Sequence, residues 1–239
     1  MTRSPVTPAS ADTYGRHDAY KYIHKALRMA QCQMLVRLGQ ADFAATDATE
    51  LLAELRALMA FGALHIAHEE THVHVHLTAR GAGATEVLDR QHAVHRDSFA
   101  RLEALAAQVE LAGPRDKAQA GHRLYLAYAL FIAHDFEHMH EEETVNNDRL
   151  WTLFSDDQIV AMERAIVASL SPEKAMMSMR LMLPALTRDE RAAFLGAMRP
   201  GVPAEVFSAV IEHAARPTLA PADFADLTRR LGLAFSAAA

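Results

Sequence analysis

Apolar residues recur at helical spacing along most of this chain, and polar residues fill the positions between them. Ala, Leu, Met, Arg and Glu are abundant, and no convincing run of alternating β-branched residues interrupts the pattern. We therefore predict an all-α protein.

Four long helical stretches are predicted in the first two thirds of the chain: Arg16–Leu38, Ala48–Thr78, Thr85–Ala112 and Arg115–Asn147. The breaks between them are short and contain Gly39, Gly81, Gly83 and Gly113-Pro114. Since short connections make consecutive helices antiparallel, residues 16–150 are expected to form an up-down-up-down four-helix bundle. The preceding residues 1–15, with two prolines, are expected to be a flexible arm.

Shorter helices with clear start signals follow in residues 151–239. Ser155 and Ser171-Pro172 are typical helix N-caps, the latter with proline at the first helical position. Thr187 and Glu190 have the spacing of a capping box. We predict a C-terminal helical region, and a homodimer through these helices is one association that this architecture allows.

Charge and cysteine content exclude several classes of protein. The formal net charge is −6 and no basic tract is present, which argues against a nucleic-acid partner. The single cysteine, Cys32, rules out an intramolecular disulfide and any Cys-rich metal site. No signal sequence and no run of about 18 apolar residues is evident, so we expect a cytoplasmic protein without a membrane segment.

A histidine followed four residues later by Glu-Glu-Thr occurs twice, 73 positions apart. The first copy begins at His65 and places Glu69 one turn further; the second begins at His138 and places Glu142 there. A carboxylate on a core-facing helix stripe is costly to bury unless a cation or hydrogen bonds compensate it. The repetition therefore predicts one metal centre that both pairs share.

The other two predicted helices supply further candidate ligands, His24 on the first and His92 on the third. Clustering supports the assignment, because 11 of the 14 histidines lie between His65 and His140. Imidazole and carboxylate ligands without thiolate suit iron or manganese. The predicted metal ligands are His24, His65, Glu69, His92, His138 and Glu142.

These motifs, embedded in four helices, resemble the hemerythrin-like (HHE cation-binding) family over roughly residues 16–150. The resemblance implies a non-haem di-iron site with an oxo or hydroxo bridge, in which manganese or zinc are substitutes. His24 and His65 would bind one iron, His92 and His138 the other, and the two glutamates would bridge them. The implied function is binding of dioxygen or a related small oxidant (nitric oxide or peroxide) for sensing, storage or redox handling.

Alternatives remain open at this stage. The same centre could act as a di-iron oxidase or oxygenase on a small-molecule substrate, and His95 or His134 could be an additional ligand. His68-Glu69-Glu70-Thr71-His72 also matches the H-E-x-x-H motif of zinc metallopeptidases. A haem-binding bundle would not require paired glutamates. His74, with two other histidines, is expected on the surface, and Glu70 on a solvated face.

Overall fold

The computed structural model describes residues 15–45, 47–81, 83 and 85–233. Within these ranges the chain is helical, with no strand, so the prediction of an all-α protein is confirmed. The predicted arm 1–15 lies outside the described residues apart from Gly15. The chain divides into two compact units.

The first unit contains three long helices and part of a fourth, the first in the chain, whose residues 22–30 group with the second unit. They are α1 (Lys21–Gln40), α2 (Thr49–Glu69, continued by a π-helical turn Glu70–His74 and by Val75–Arg80), α3 (Glu86–Leu111) and α4 (Lys117–Glu141, continued by a π-helical turn Glu142–Asn146 and by Asn147–Leu153). A fifth helix, α5 (Asp156–Ser169), follows after a short break.

Helix α1 begins five residues later than predicted, at Lys21. The cause is Asp18, whose carboxylate accepts the backbone N–H groups of Tyr20 and Lys21 at 3.0 and 3.1 Å. An aspartate side chain that accepts hydrogen bonds from these backbone N–H groups favours the start of a helix directly after it, and the residues before it stay non-helical.

All four long helices contribute to one apolar core of the first unit. The buried residues are Met34 and Leu38 from α1, Leu52, Leu55 and Met59 from α2, Leu102, Ala106 and Val109 from α3, and Ala120, Leu124, Tyr128, Phe131 and Ile132 from α4. Burial of this apolar surface is the main force that holds the helices together.

The pairs of residues that join neighbouring helices show the direction of the chain. Along α3 and α4, Gln91 contacts His138 and Phe99 contacts Phe131, so one helix ascends while the other descends. The contacts between α2 and α3 show the same antiparallel pattern, because a residue early in one helix contacts a residue late in the other. These neighbours are antiparallel, as short connections require.

The second unit combines residues 22–30 of α1 with residues from 167 onward. Its helices are α6 (Pro172–Ala185), α7 (Arg188–Met198), α8 (Ala204–Val210, continued by a π-helical turn Ile211–Ala215 and by Arg216–Thr218) and α9 (Pro221–Arg230). The predicted caps are present: the Ser171 side chain accepts from the backbone of Lys174, and Thr187 with Glu190 forms a complete capping box.

The boundary between the units falls after Ile166, whereas the sequence suggested residue 150. Residues of α5 remain with the first unit because they share a second apolar cluster with it. This cluster contains Tyr20, Val73, Leu77, Leu150, Phe154, Ile159 and Met162.

One helical stretch, Thr49–Arg80, is long and apolar enough to cross a membrane by length and composition alone. One such helix is weak evidence for a membrane segment, since a core helix of a soluble protein passes the same test; 28% of its most apolar window is buried. The stretch also carries the buried Glu69. The finding favours a soluble protein, and the cytoplasmic location stays a prediction.

Gly121 on α4 permits a close approach of the loop that joins α1 to α2. A Cβ atom at this position would lie 2.1 Å from the ring of Phe43, which is itself buried. No side chain larger than hydrogen fits unless the ring moves.

We predict that Gly121→Ala lowers the free energy of unfolding by about 1–3 kcal/mol, because it displaces Phe43 from the core. Gly196→Ala is the matched control, since Gly196 is also helical but has no atom within 4 Å of an added Cβ. The control should be neutral or stabilising by up to about 1 kcal/mol. Chemical denaturation of both variants tests the pair, and equal effects would contradict this account of Gly121.

Candidate metal centre

Both repeated motifs lie where an α-helix passes into a π-helical turn. In α2 the turn begins at Glu70, directly after Glu69; in α4 it begins at Glu142 itself. A π-helical turn widens the helix locally and is common at functional sites. The two copies of the motif thus share an unusual backbone as well as a sequence.

The structure brings the two motifs together inside the first unit. Ligand atoms of Glu69, His92, His138 and Glu142 all lie within 4.8 Å of one another, and all four residues are buried. Atoms of His65, Glu69 and Glu142 also lie within 4.8 Å of one another. Both groups contain both glutamates, so the two carboxylates are shared between His65 on one side and His92 with His138 on the other.

Distances within each motif are short. His65 Nε2 lies 2.9 Å from Glu69 Oε1, and His138 Nε2 lies 3.3 Å from Glu142 Oε2. Across helices, His92 Nε2 lies 3.4 Å from Glu69 Oε2. Glu69 therefore faces imidazoles from two helices.

Outer hydrogen bonds fix which nitrogen of each ring carries a proton. His92 Nδ1 lies 3.2 Å from Glu70 Oε1, a carboxylate oxygen that also accepts from Arg96 at 2.9 Å. His138 Nδ1 lies 2.9 Å from the amide oxygen of Gln91. Since both partners are acceptors, each Nδ1 donates, and the Nε2 atoms point into the group.

The two inward nitrogens, His92 Nε2 and His138 Nε2, lie 3.1 Å apart. Two bare lone pairs at this distance would repel each other, so the contact needs a proton or a metal ion between the two nitrogens. A proton on His92 is one solution, and a metal ion bound by both rings is the other. The same tautomers orient imidazoles toward metals in many proteins, where the outer N–H donates to a carboxylate or carbonyl.

Ionisation in this group is strongly perturbed. Burial lowers the pKa of His92, but the hydrogen bond to Glu69 and the charges of Glu69 and Glu142 outweigh it, so the pKa is raised overall. Burial lowers the pKa of His138 to about 2, so this ring is neutral. His138 cannot compensate the carboxylates as a cation.

The donor set fits a transition metal ion. Neutral imidazole nitrogens and carboxylate oxygens are the ligands that iron, manganese and zinc accept, and no thiolate is present to favour a softer ion. Burial of two carboxylates beside a neutral imidazole is expensive without further positive charge. One or two divalent ions would supply that charge.

The remaining predicted ligand, His24, is fully buried on α1. It lies in the segment 22–30 that groups with the second unit. Its role as a ligand stays a prediction.

His95 and His134 are placed differently from the ligand groups. His95 is buried, with its Nδ1 3.4 Å from Asp135 Oδ1 and its ring edge-on to His138. Asp135 in turn accepts from the side-chain amide of Gln31 at 2.6 Å. His134 is exposed. In the described part of the chain, neither histidine belongs to a group of converging ligand atoms.

His74 was expected on the surface, and this prediction is wrong. The residue is only 4% exposed, and its ring stacks on that of His92 with centroids 5.1 Å apart and planes 5° apart. Its Nδ1 lies 2.9 Å from Asp89 Oδ1. The widened π-helical turn carries His74 to this position, which an ideal helical pattern does not reveal.

Glu70 was expected on a solvated face, whereas it is half-buried between His92 and Arg96. Gln91 was not anticipated at all. It precedes His92 in sequence but contacts His138 on the next helix, and such a contact across helices leaves no local signal.

Tyr20 is a buried phenol whose ionisation is influenced by the two carboxylates. The residue is 2% exposed, and its oxygen accepts from the side-chain amide of Asn146 at 2.6 Å. Burial raises the pKa of Tyr20 well above its ordinary value, and the charges of Glu142 and Glu69 raise it further. The phenol therefore keeps its proton.

A cavity of about 270 Å³ opens between α3 and α4. Val87, Arg90, Gln91, Val94, His95, His134 and Glu137 line it. Two of these residues, Gln91 and His95, also contact His138, so the cavity adjoins the outer side of one candidate ligand.

Comparison with known proteins gives no relative, since no family model, no curated protein and no solved structure matches the chain. The resemblance to the hemerythrin-like family therefore rests on the motifs alone.

We predict opposite effects of Glu142→Gln with and without metal. In protein stripped by a chelator, the variant should unfold at higher denaturant concentration, because one buried negative charge has been removed; the gain is on the order of a few kcal/mol. With metal added, the variant should be less stable than the native chain, because it lacks a charged ligand.

Glu137→Gln serves as the control, since Glu137 lies on the same helix but is exposed. It should leave stability unchanged in both conditions. Destabilisation of the metal-free protein by Glu142→Gln would show that the carboxylates are satisfied without a cation.

Proposed function

We propose that this protein is a hemerythrin-like di-iron protein, with α1 to α4 forming an up-down-up-down four-helix bundle around the metals. The observation that carries the proposal is the meeting of Glu69 and Glu142 inside the first unit with imidazoles from α2, α3 and α4. The antiparallel contacts of α2 with α3 and of α3 with α4 support the bundle.

The shared carboxylates support two ions rather than one. Glu69 and Glu142 belong to both groups of converging atoms, one with His65 and one with His92 and His138. A carboxylate has two oxygens, so each glutamate can contact both ions. His92 and His138 are proposed for one iron, and His65 for the other.

His24 is proposed as the second imidazole on the iron of His65. It lies on α1 four residues after Tyr20, the N-cap residue of that helix, and this spacing keeps the two side chains on the same face. The Tyr20 hydroxyl accepts a hydrogen bond from the side-chain amide of Asn146, which lies four residues after Glu142. The register of α1 therefore favours an inward direction for His24.

A bound pair of ferrous ions would supply reversible binding or reduction of a small oxidant such as dioxygen, nitric oxide or peroxide. The chain contributes an enclosed site, because the four residues of the main group are all buried and Phe131 and Met139 are buried nearby on α4. Tyr20 keeps its proton and provides a hydrogen-bond donor. Glu70 and Gln91 hold two imidazoles in the tautomer that can bind metal.

A di-iron oxidase acting on a small molecule is the second candidate. The cavity beside Gln91 and His95 favours it, since turnover requires space for a substrate near the centre. A substrate that entered through this cavity would approach the centre from the side of His138 and not from the side of the carboxylates.

A zinc metallopeptidase is disfavoured by the position of Glu69. The H-E-x-x-H mechanism needs this glutamate as a general base beside an exposed zinc-bound water. Glu69 is instead 2% exposed and lies 2.9 Å from His65. Its environment supports the role of a ligand.

We predict two iron ions per chain when the protein is purified anaerobically with ferrous iron, measured by elemental analysis. Glu142→Ala should lose most of the metal because it removes a shared ligand. Glu141→Ala removes the neighbouring, half-buried carboxylate and should keep both ions. Full metal content in Glu142→Ala would contradict the bridging role.

Exposure of the reduced iron-loaded protein to air distinguishes the two functions. A charge-transfer absorption band that disappears under vacuum and returns with oxygen is expected for the binding protein. Fast oxidation that is not reversed by vacuum, and that consumes an added electron donor over many turnovers, would favour the oxidase. A peptidase would instead contain zinc and cleave peptides.

A further inference from the structure

In the described part of the chain, His68 and His72 belong to neither group of converging ligand atoms in the buried centre. The centre takes Glu69 as a ligand and uses Glu70 to orient His92. His68 and His72, on either side of these glutamates in the sequence, are each half-buried.

The two rings lie next to each other on one side of α2. Their centroids are 6.1 Å apart and their planes are tilted by 52°. This separation leaves room for an ion between the rings, because each Zn–N bond to an imidazole is about 2.0–2.1 Å long. Side chains four residues apart on a helix meet in this way, and the motif of two histidines at this spacing is a known zinc-binding pattern.

We propose that His68 and His72 form a second, surface metal site that captures a divalent transition metal ion before it reaches the buried centre. Two imidazoles completed by water suit zinc, cobalt, nickel, copper or ferrous iron rather than magnesium or calcium. The role in capture rests on the proposed function, whereas the chelating pair does not.

The position of His68 and His72 on α2 supports a role in capturing the ion. His65 precedes His68 by three residues and His72 follows it by four, so the three rings follow each other along one side of α2. His65 already contacts Glu69 with its Nε2. An ion bound by His68 and His72 is therefore one helical turn from the first imidazole of the buried centre.

The expected affinities of the two sites also favour transfer of the ion from the surface pair to the buried centre. The surface pair offers two neutral nitrogens, whereas the buried centre offers two carboxylates as well as imidazoles. An ion held on the surface should bind more weakly and exchange faster than one held by carboxylates out of water.

The proposal can be tested with cobalt, whose visible absorption reports its ligands. Metal-free full-length protein is titrated with Co²⁺, and the rate at which the buried sites fill is followed by stopped-flow absorption. The native chain should bind one weak, rapidly exchanging ion in addition to the tightly bound ions. His68→Ala/His72→Ala should lose the weak ion, keep the tight ions at equilibrium, and fill them severalfold more slowly.

His122→Ala is the matched control, because His122 is exposed on α4 and lies 16 residues before His138, about 24 Å along the helix. It should behave like the native chain. The single variants His68→Gln and His72→Gln, which keep a polar side chain of similar size, should each lose the weak ion even if the double variant folds poorly.

Retention of the weak ion by the double variant and by both single variants would overturn the surface site. Loss of the weak ion with unchanged filling of the tight sites would overturn its role in capture. A native chain that binds the weak ion but no tight ions would contradict the proposed di-iron function and leave the surface chelate standing.

Discussion

Two carboxylates buried in one place are the constraint on which the rest of the first unit depends. Glu69 and Glu142 come from different helices, and each is at most 2% exposed. Like charges in a medium of low dielectric repel strongly, and His138 cannot offset them because burial lowers its pKa to about 2. This interior needs compensating positive charge, and we propose that bound metal ions supply it, with the surrounding side chains as ligands and as hydrogen-bond partners of ligands.

Side chains that hydrogen-bond to the candidate ligands shape this centre as much as the ligands themselves do. Arg96 holds Glu70, Glu70 orients His92, and Gln91 orients His138. His74, fixed by Asp89, stacks on the face of His92 and restricts the ring from the other side. Preorganisation of this kind sets the geometry before any ion arrives, so that binding does not have to order the side chains.

Much of this architecture could be predicted from the sequence, since helical periodicity and the repeated His-x-x-x-Glu pattern are local signals. The late start of α1 depended on Asp18, whose side chain competes for backbone donors. The burial of His74 depended on a π-helical turn, which shifts the register within an otherwise regular pattern. Gln91 could not be found because its partner lies on another helix, and chain order carries no information about that pairing.

The most direct measurement of the central claim is anomalous X-ray diffraction at the iron edge from crystals of the iron-loaded protein. We expect two peaks between Glu69 and Glu142, each with carboxylate oxygens and imidazole nitrogens at about 2.0–2.2 Å, the range found for such ligands on zinc. Absence of any anomalous peak there, with Glu69 and Glu142 held instead by water and protein hydrogen bonds, would contradict the account.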